Sequence, residues 1–125
     1  MPVRVNVDHA GRFVTVVMEG RVLLSELFEQ LDNLLLQAVM PYAKLFDARG
    51  ADLQFNDDDV MALAARAQAY AAFSPRGPVA LVAGSGNKIV LWRFMNLARG
   101  EREIALFERI ADAREWLARS MNGAA

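Results

Sequence analysis

Residues 79–99 read VALVAGSGNKIVLWRFMNLAR. Val79 to Ala83 is apolar at every position, the pattern of a strand covered on both faces. Gly84-Ser85-Gly86-Asn87 then breaks the run, and a helical stretch follows from Lys88 to about Arg99, where Gly100 ends it. A buried strand that turns straight into a helix belongs to an alternating α/β pattern.

The flanks repeat that alternation. Upstream, Tyr42 to Asp47 (YAKLFD) reads as a short buried strand, and Ala48 to Phe55 as a loop. Asn56 caps a helix that starts on Asp57-Asp58-Asp59, three carboxylates at the positive end of its dipole. Val60, Leu63, Ala64, Ala67 and Ala71 share its inner face, which runs to about Phe73 before Ser74-Pro75-Arg76-Gly77-Pro78 breaks it. Further back, Leu24, Leu27, Phe28, Leu31, Leu34, Leu35 and Ala38 recur at helical spacing, with Ser25 or a near neighbour as the expected cap and Pro41 past the end.

Before that helix, Val3, Val5 and Val7 alternate with Arg4, Asn6 and Asp8, and Arg12 to Glu19 is a β-branched run. Asp8 to Gly11 separates them as a turn, with Gly11 able to take a positive φ, so the two runs predict an antiparallel hairpin. Downstream, Glu103 to Phe107 is a short strand. A last helix, about Glu108 to Ser120, turns Ile110, Ala113 and Leu117 inward with Trp116 at its flank. The order β-β-α-β-α-β-α-β-α predicts an α/β fold. Its sheet has about five strands, mixed but mostly parallel, with four helices and right-handed crossovers. There is no internal repeat or linker, so residues 1–120 read as one domain and 121–125 as a loose tail.

Composition narrows the function classes. Of 125 residues, 54 % are hydrophobic and 23 % charged, enough for a core without staples. The net charge is -1 and the basic residues are scattered, so no nucleic-acid partner is expected. The absence of cysteine removes disulfides and a thiol nucleophile, and the expected location is cytoplasmic. The N-terminus, MPVRVNVDHAG, has no apolar h-region, so no signal peptide is expected. No window approaches a transmembrane length of apolar residues.

Five places merit a chemical reading. His9, the single histidine, lies in the hairpin turn and reads as solvated. Asp57 to Asp59 lack the alternating spacing and glycine bend of a calcium loop and read as helix capping. Gly84, Ser85, Gly86, Asn87 and Lys88 form a strand-to-helix turn that can cradle an anion, although neither the Walker nor the dinucleotide spacing is present. Asp47 and Arg49 end the central strand, where ligands collect in open α/β sheets, or they simply contact each other across the turn. In the helix from Lys88, a core stripe of Val90, Phe94 and Leu97 leaves Leu91, Trp92 and Met95 over, which predicts a homodimer or protein-partner surface. Lys88, Arg93 and Arg99 beside these residues make weak membrane-surface contact the minor expectation.

Three phrases carry a resemblance: Tyr42-Ala43-Lys44-Leu45-Phe46-Asp47-Ala48-Arg49, Pro78-Val79-Ala80-Leu81-Val82, and the ending Leu106-Phe107 through Ala113-Arg114-Glu115-Trp116-Leu117. With the element order, they make the chain resemble the SpoIIAA-like STAS domains, the group of bacterial anti-anti-sigma factors, and above all the small stand-alone STAS-like proteins. The resemblance implies a SpoIIAA-like fold and a regulatory role. Anti-anti-sigma factors are similar in carrying a phosphorylatable Ser or Thr, after an aspartate, where the helix following the central strand begins. Residues 47–57 here (DARGADLQFND) contain neither, so that switch is not implied. The expected function is a non-enzymatic interaction or regulatory module, without cofactor or metal. The alternative is a carrier or sensor of a lipid-like or anionic ligand, since related folds hold apolar ligands.

Overall fold

The computed structural model describes residues 2–70, 77–98 and 104–123. Its elements are β1 (Val3–Asp8), β2 (Phe13–Arg21), α1 (Leu24–Leu36), β3 (Ala43–Asp52), α2 (Asp57–Tyr70), β4 (Val79–Ala83), α3 (Lys88–Ala98), β5 (Ile104–Phe107) and α4 (Ile110–Gly123). The five strands lie in the order β1-β2-β3-β4-β5. β1 is antiparallel to β2, and β2 through β5 are parallel. This is the expected α/β layout.

The strand order decides where the helices go. From β2 to β5 each parallel strand is laid beside the last in one direction. Right-handed crossovers that always step the same way place their helices on the same side. α1, α2 and α3 accordingly share one face, over Val14, Val16, Met18, Phe46, Ala48, Leu81 and Ile104. α4 follows the last strand and takes the other face, where Ala113 and Leu117 pack on Leu45, Ala80 and Val82. It covers β3, β4 and β5. On the β1–β2 side of that face Arg4, Asn6, Asp8 and Glu19 are exposed.

Several local expectations change. β3 runs on to Asp52, past the loop expected from Ala48. β2 also reaches Arg21, and the pair continues through a bulge: Val17 faces Asp47, and Glu19 faces Gly50. One extra β3 residue is accommodated there. In the hairpin, Arg12 rather than Gly11 takes the left-handed conformation, at φ 52. Gly11 is needed for closeness instead: its N–H donates to Asp8 Oδ1 at 3.0 Å, and a Cβ there would meet Asp8 Oδ2 at 2.6 Å. α1 starts before Ser25, and its first turn is closed by Glu26, whose Oε1 accepts from the Leu23 N–H at 2.9 Å. α4 continues to Gly123, so residues 121–123 are helix rather than tail. The expected end of α2 near Phe73, the break at Ser74 to Arg76 and the Arg99–Gly100 stop lie outside the described residues. No described helix is long and apolar enough to cross a membrane.

Candidate functional site

At the strand ends the structure does bring the expected residues together, but they satisfy one another. Arg49 Nε donates to Asp47 Oδ1 at 2.9 Å and Arg49 Nη2 to Asp47 Oδ2 at 3.0 Å, a two-pronged pair. Burial pushes the Asp47 carboxyl up, but the Arg49 side-chain and backbone bonds and the guanidinium charge outweigh it, and the carboxyl is held below its usual value. Asn87 is 2 % exposed and fully engaged. Its Oδ1 accepts from Gly84 N–H at 3.0 Å, and its Nδ2 donates to Ala48 O at 2.7 Å and Ala51 O at 3.0 Å. Gly84 lies so close to β3 that a Cβ would meet Arg49 O at 2.6 Å. Ser85 and Gly86 are exposed in the turn, and Lys88 pairs with Glu108. Asn87 therefore acts as a clasp between the turn after β4 and the end of β3.

The fold adds a second reason why ligands need not gather here. The crevice at strand ends opens where successive crossovers depart in opposite directions. In this sheet the order never reverses, so there is no such switch point.

In α3 the core stripe is not the expected one. Leu91 is 6 % exposed and Ala98 is fully buried, with Val90, Phe94 and Met95 packed beside them. Leu91 thus belongs to the interior rather than to a docking surface, and Met95 is half-covered. Leu97, expected inside, is 47 % exposed, together with Trp92 at 55 % and Ile89 at 68 %. A helix apolar at almost every position has no unique phase in sequence. Here the phase follows from Asn87, whose clasp fixes the first turn. Met61, also exposed, stands on the α2 face that carries Asp57 and Gln68. Those two bond Arg93 Nη1 and Leu97 O of α3. Among the expected docking residues, Trp92 alone is fully on the surface.

The feature that sequence reading missed lies under the three helices. A partly open cavity of about 60 Å³ is lined by Met18, Phe46 and Leu81 of the sheet, by Met40 ahead of β3, and by Leu27, Leu63, Ala67 and Phe94 of the helices. Lys44 also lines it. Strand alternation puts Lys44 on the same face as Phe46 and Ala48, and it is 1 % exposed. Its Nζ is turned to the strand's start, donating to Met40 O at 2.5 Å and Tyr42 O at 2.8 Å. The stem borders the cavity while Nζ is held by carbonyls, a snorkelling arrangement inside the protein.

A polar latch ties α1 to α2 beside this cavity. Arg66 Nη1 donates to both Asp32 oxygens at 3.0 and 3.1 Å, and the Tyr70 hydroxyl donates to Asp32 Oδ1 at 2.7 Å. The Arg66 guanidinium also lies 4.0 Å from the Phe28 ring centre. Burial, together with the bond to Asp32 and its charge, pushes the Tyr70 hydroxyl up to about 12. Tyr70 itself lines the cavity. No spacing rule links Asp32, Arg66 and Tyr70, because they lie on two helices separated by a strand.

His9 is exposed, and its Nδ1 lies 3.0 Å from the Tyr42 hydroxyl. Asp59 and Asn56 cap each other reciprocally, with Asp59 N–H to Asn56 Oδ1 at 2.8 Å and Asn56 N–H to Asp59 Oδ2 at 3.1 Å. Among the described residues no three His, Asp or Glu side chains gather as a metal ion requires. No family model, curated protein or solved structure matches this chain. The likeness to STAS domains therefore rests on the quoted phrases, and the functional reading rests on the geometry.

Proposed function

We propose that this chain is a non-enzymatic binding domain whose ligand is a small apolar molecule held between the sheet and α1–α3. The observation in its favour is the cavity of about 60 Å³, whose wall is apolar side chains apart from Lys44 and Tyr70. Protein interiors rarely keep voids larger than a water molecule. Apolar voids stay dry and accept apolar guests; an engineered cavity of roughly 150 Å³ takes up benzene. The present cavity is smaller, so a ring-sized guest needs the lining to yield. Met18 and Met40 are suited to that, being unbranched and readily repacked. The site differs from the expected anion site at Asp47, Arg49 and Gly84–Lys88, where Asp47 pairs with Arg49, Asn87 bonds Gly84, Ala48 and Ala51, and Lys88 pairs with Glu108.

The test is a thermal melt of the purified protein with benzene. A ligand at a hundred times its dissociation constant adds about 2.7 kcal/mol to stability, and the melting temperature should rise by several degrees. A melt that does not move across the solubility range of benzene refutes the reading.

The interaction-module reading keeps one observation of its own, the exposed Ile89, Trp92 and Leu97 along α3. If copies of the chain meet there, Trp92→Asp converts a dimer to a monomer in light scattering coupled to gel filtration. A monomeric wild type, or a dimer that survives the substitution, removes that support.

A further inference from the structure

A second surface carries an inference independent of the cavity. β1 is an edge strand, paired with β2 alone. Edge strands are usually blunted by shortness, charged side chains, proline or a bulge. β1 has six residues, no proline and an unbroken register with β2, and its two charged side chains, Arg4 and Asp8, are opposite in sign. The opposite edge, β5, has four residues.

The hydrogen-bond pattern says which groups β1 offers. Glu19 N–H donates to Pro2 O at 2.9 Å, so Pro2 and Glu19 form a bonded pair. Bonded pairs alternate along an antiparallel ladder, so Arg4, Asn6 and Asp8 direct their backbone groups at β2. The N–H and C=O groups of Val3, Val5 and Val7 point outward, and among the described residues nothing bonds to them. α1 packs against β1 from the helix-covered face of the sheet. A groove lined by Val5, Val7 and His9 of the hairpin and Gln30, Asn33 and Gln37 of α1 runs alongside.

We infer that this edge pairs antiparallel with β1 of a second copy of the chain, about a twofold axis through Asn6. Only registers that match Val3, Val5 and Val7 with odd-numbered residues of the partner make backbone bonds. An axis through Arg4 sets the two Arg4 side chains against each other. An axis through Val5 or Val7 leaves Arg4 and Asp8 opposite neutral residues. An axis through Asn6 sets Arg4 against the partner's Asp8 twice, and Val5 against the partner's Val7 twice. The stretch RVNVD, residues 4–8, is thus complementary to its own reverse. Arg4 and Asp8 fall in the non-bonded pairs, where facing side chains come closest. In the isolated chain Arg4 Nη2 contacts Glu19 Oε1 at 2.8 Å, with both side chains 60 % exposed, and a guanidinium has donors enough for a second carboxylate. The pairing joins two sheets into one and keeps α1–α3 of both copies on the same face.

Charge exchange tests the register. In light scattering coupled to gel filtration, the wild type is expected at twice the chain mass. Arg4→Asp and Asp8→Arg, purified separately and shown folded by circular dichroism, are each expected at the chain mass, because like charges then face each other. An equimolar mixture of the two is expected at twice the chain mass, since every facing pair is again opposite in charge. Val5→Pro, which removes an outward N–H and no bond to β2, is expected at the chain mass. Trp92→Asp is expected to stay dimeric. A monomeric wild type, single variants that remain dimeric, a mixture of folded variants that stays monomeric, a dimeric Val5→Pro or a monomeric Trp92→Asp would each overturn the inference.

Discussion

Tyr70, which no motif in the sequence singles out, becomes a working part in the fold. Its ring lines the cavity while its hydroxyl donates to Asp32. The folded hydroxyl is pushed up to about 12, against 10 for an ordinary tyrosine. A proton held more tightly in the folded state stabilises the protein fully below the unfolded value. That contribution declines as pH rises from 10 and is gone once pH passes about 12. The difference in melting temperature between wild type and Tyr70→Phe should therefore shrink steadily over that alkaline interval and be flat from pH 7 to 9. A difference independent of pH above 10 would contradict the assignment. Lys44 is the other residue sequence could not place. The run YAKLFD reads as a buried strand, and residue type does not say where a lysine inside it puts its amine. In the fold its position in the alternation is a core one, and the chain satisfies it by aiming Nζ at the carbonyls of Met40 and Tyr42. Nothing in residue type or spacing encodes that turn of the side chain.

At the scale of elements, the strand-turn-helix unit from Val79 to Ala98 was legible in type and position. Its rotation was not. An apolar residue at nearly every position of α3 lets several stripes qualify, and the sequence reading chose Leu97 where the fold buries Leu91. What sets the rotation is polar and remote: Asn87 at the first turn holds Ala48 O and Ala51 O of β3. The same clasp holds the end of β3, where the sequence reads as a loop from Ala48 to Phe55 holding Gly50. Residues 48–52 continue as strand because β2 runs beside them through a bulge. Asn87→Ala removes three hydrogen bonds and leaves buried acceptors without donors. Each such group costs about 1–3 kcal/mol, so a loss of at least that size is expected in urea denaturation, with the slope unchanged. Asn87→Asp should lose as well, since a carboxylate has no N–H to give the two carbonyls. Ser85→Ala, in the exposed part of the same turn, is expected to be neutral. An Asn87→Ala variant as stable as wild type would show that the turn is not clasped.

At the scale of the whole molecule, one topological fact explains both proposed surfaces. A strand order that never reverses loads three helices onto one face and leaves α4 for the other. The crowded face must fill the space between three helices and a twisted sheet, and the fill falls short by about 60 Å³. The sparse face leaves β1 and β2 uncovered on that side and β1 free at the edge. The order of elements was readable from alternating periodicities, but neighbour order in the sheet is a long-range property that local patterns do not carry. The cavity makes a paired prediction. Leu63→Ala enlarges it and should cost about 2–5 kcal/mol, as large-to-small core changes do. Benzene should then recover more of that loss than it adds to the wild type, because the larger void admits the ring without repacking. Ala67→Leu, one turn further along the same face of α2, fills the same space. It should melt no lower than wild type and no longer respond to benzene. If benzene stabilises Ala67→Leu as much as Leu63→Ala, the guest is bound elsewhere, and the space beneath α1–α3 is only a packing defect.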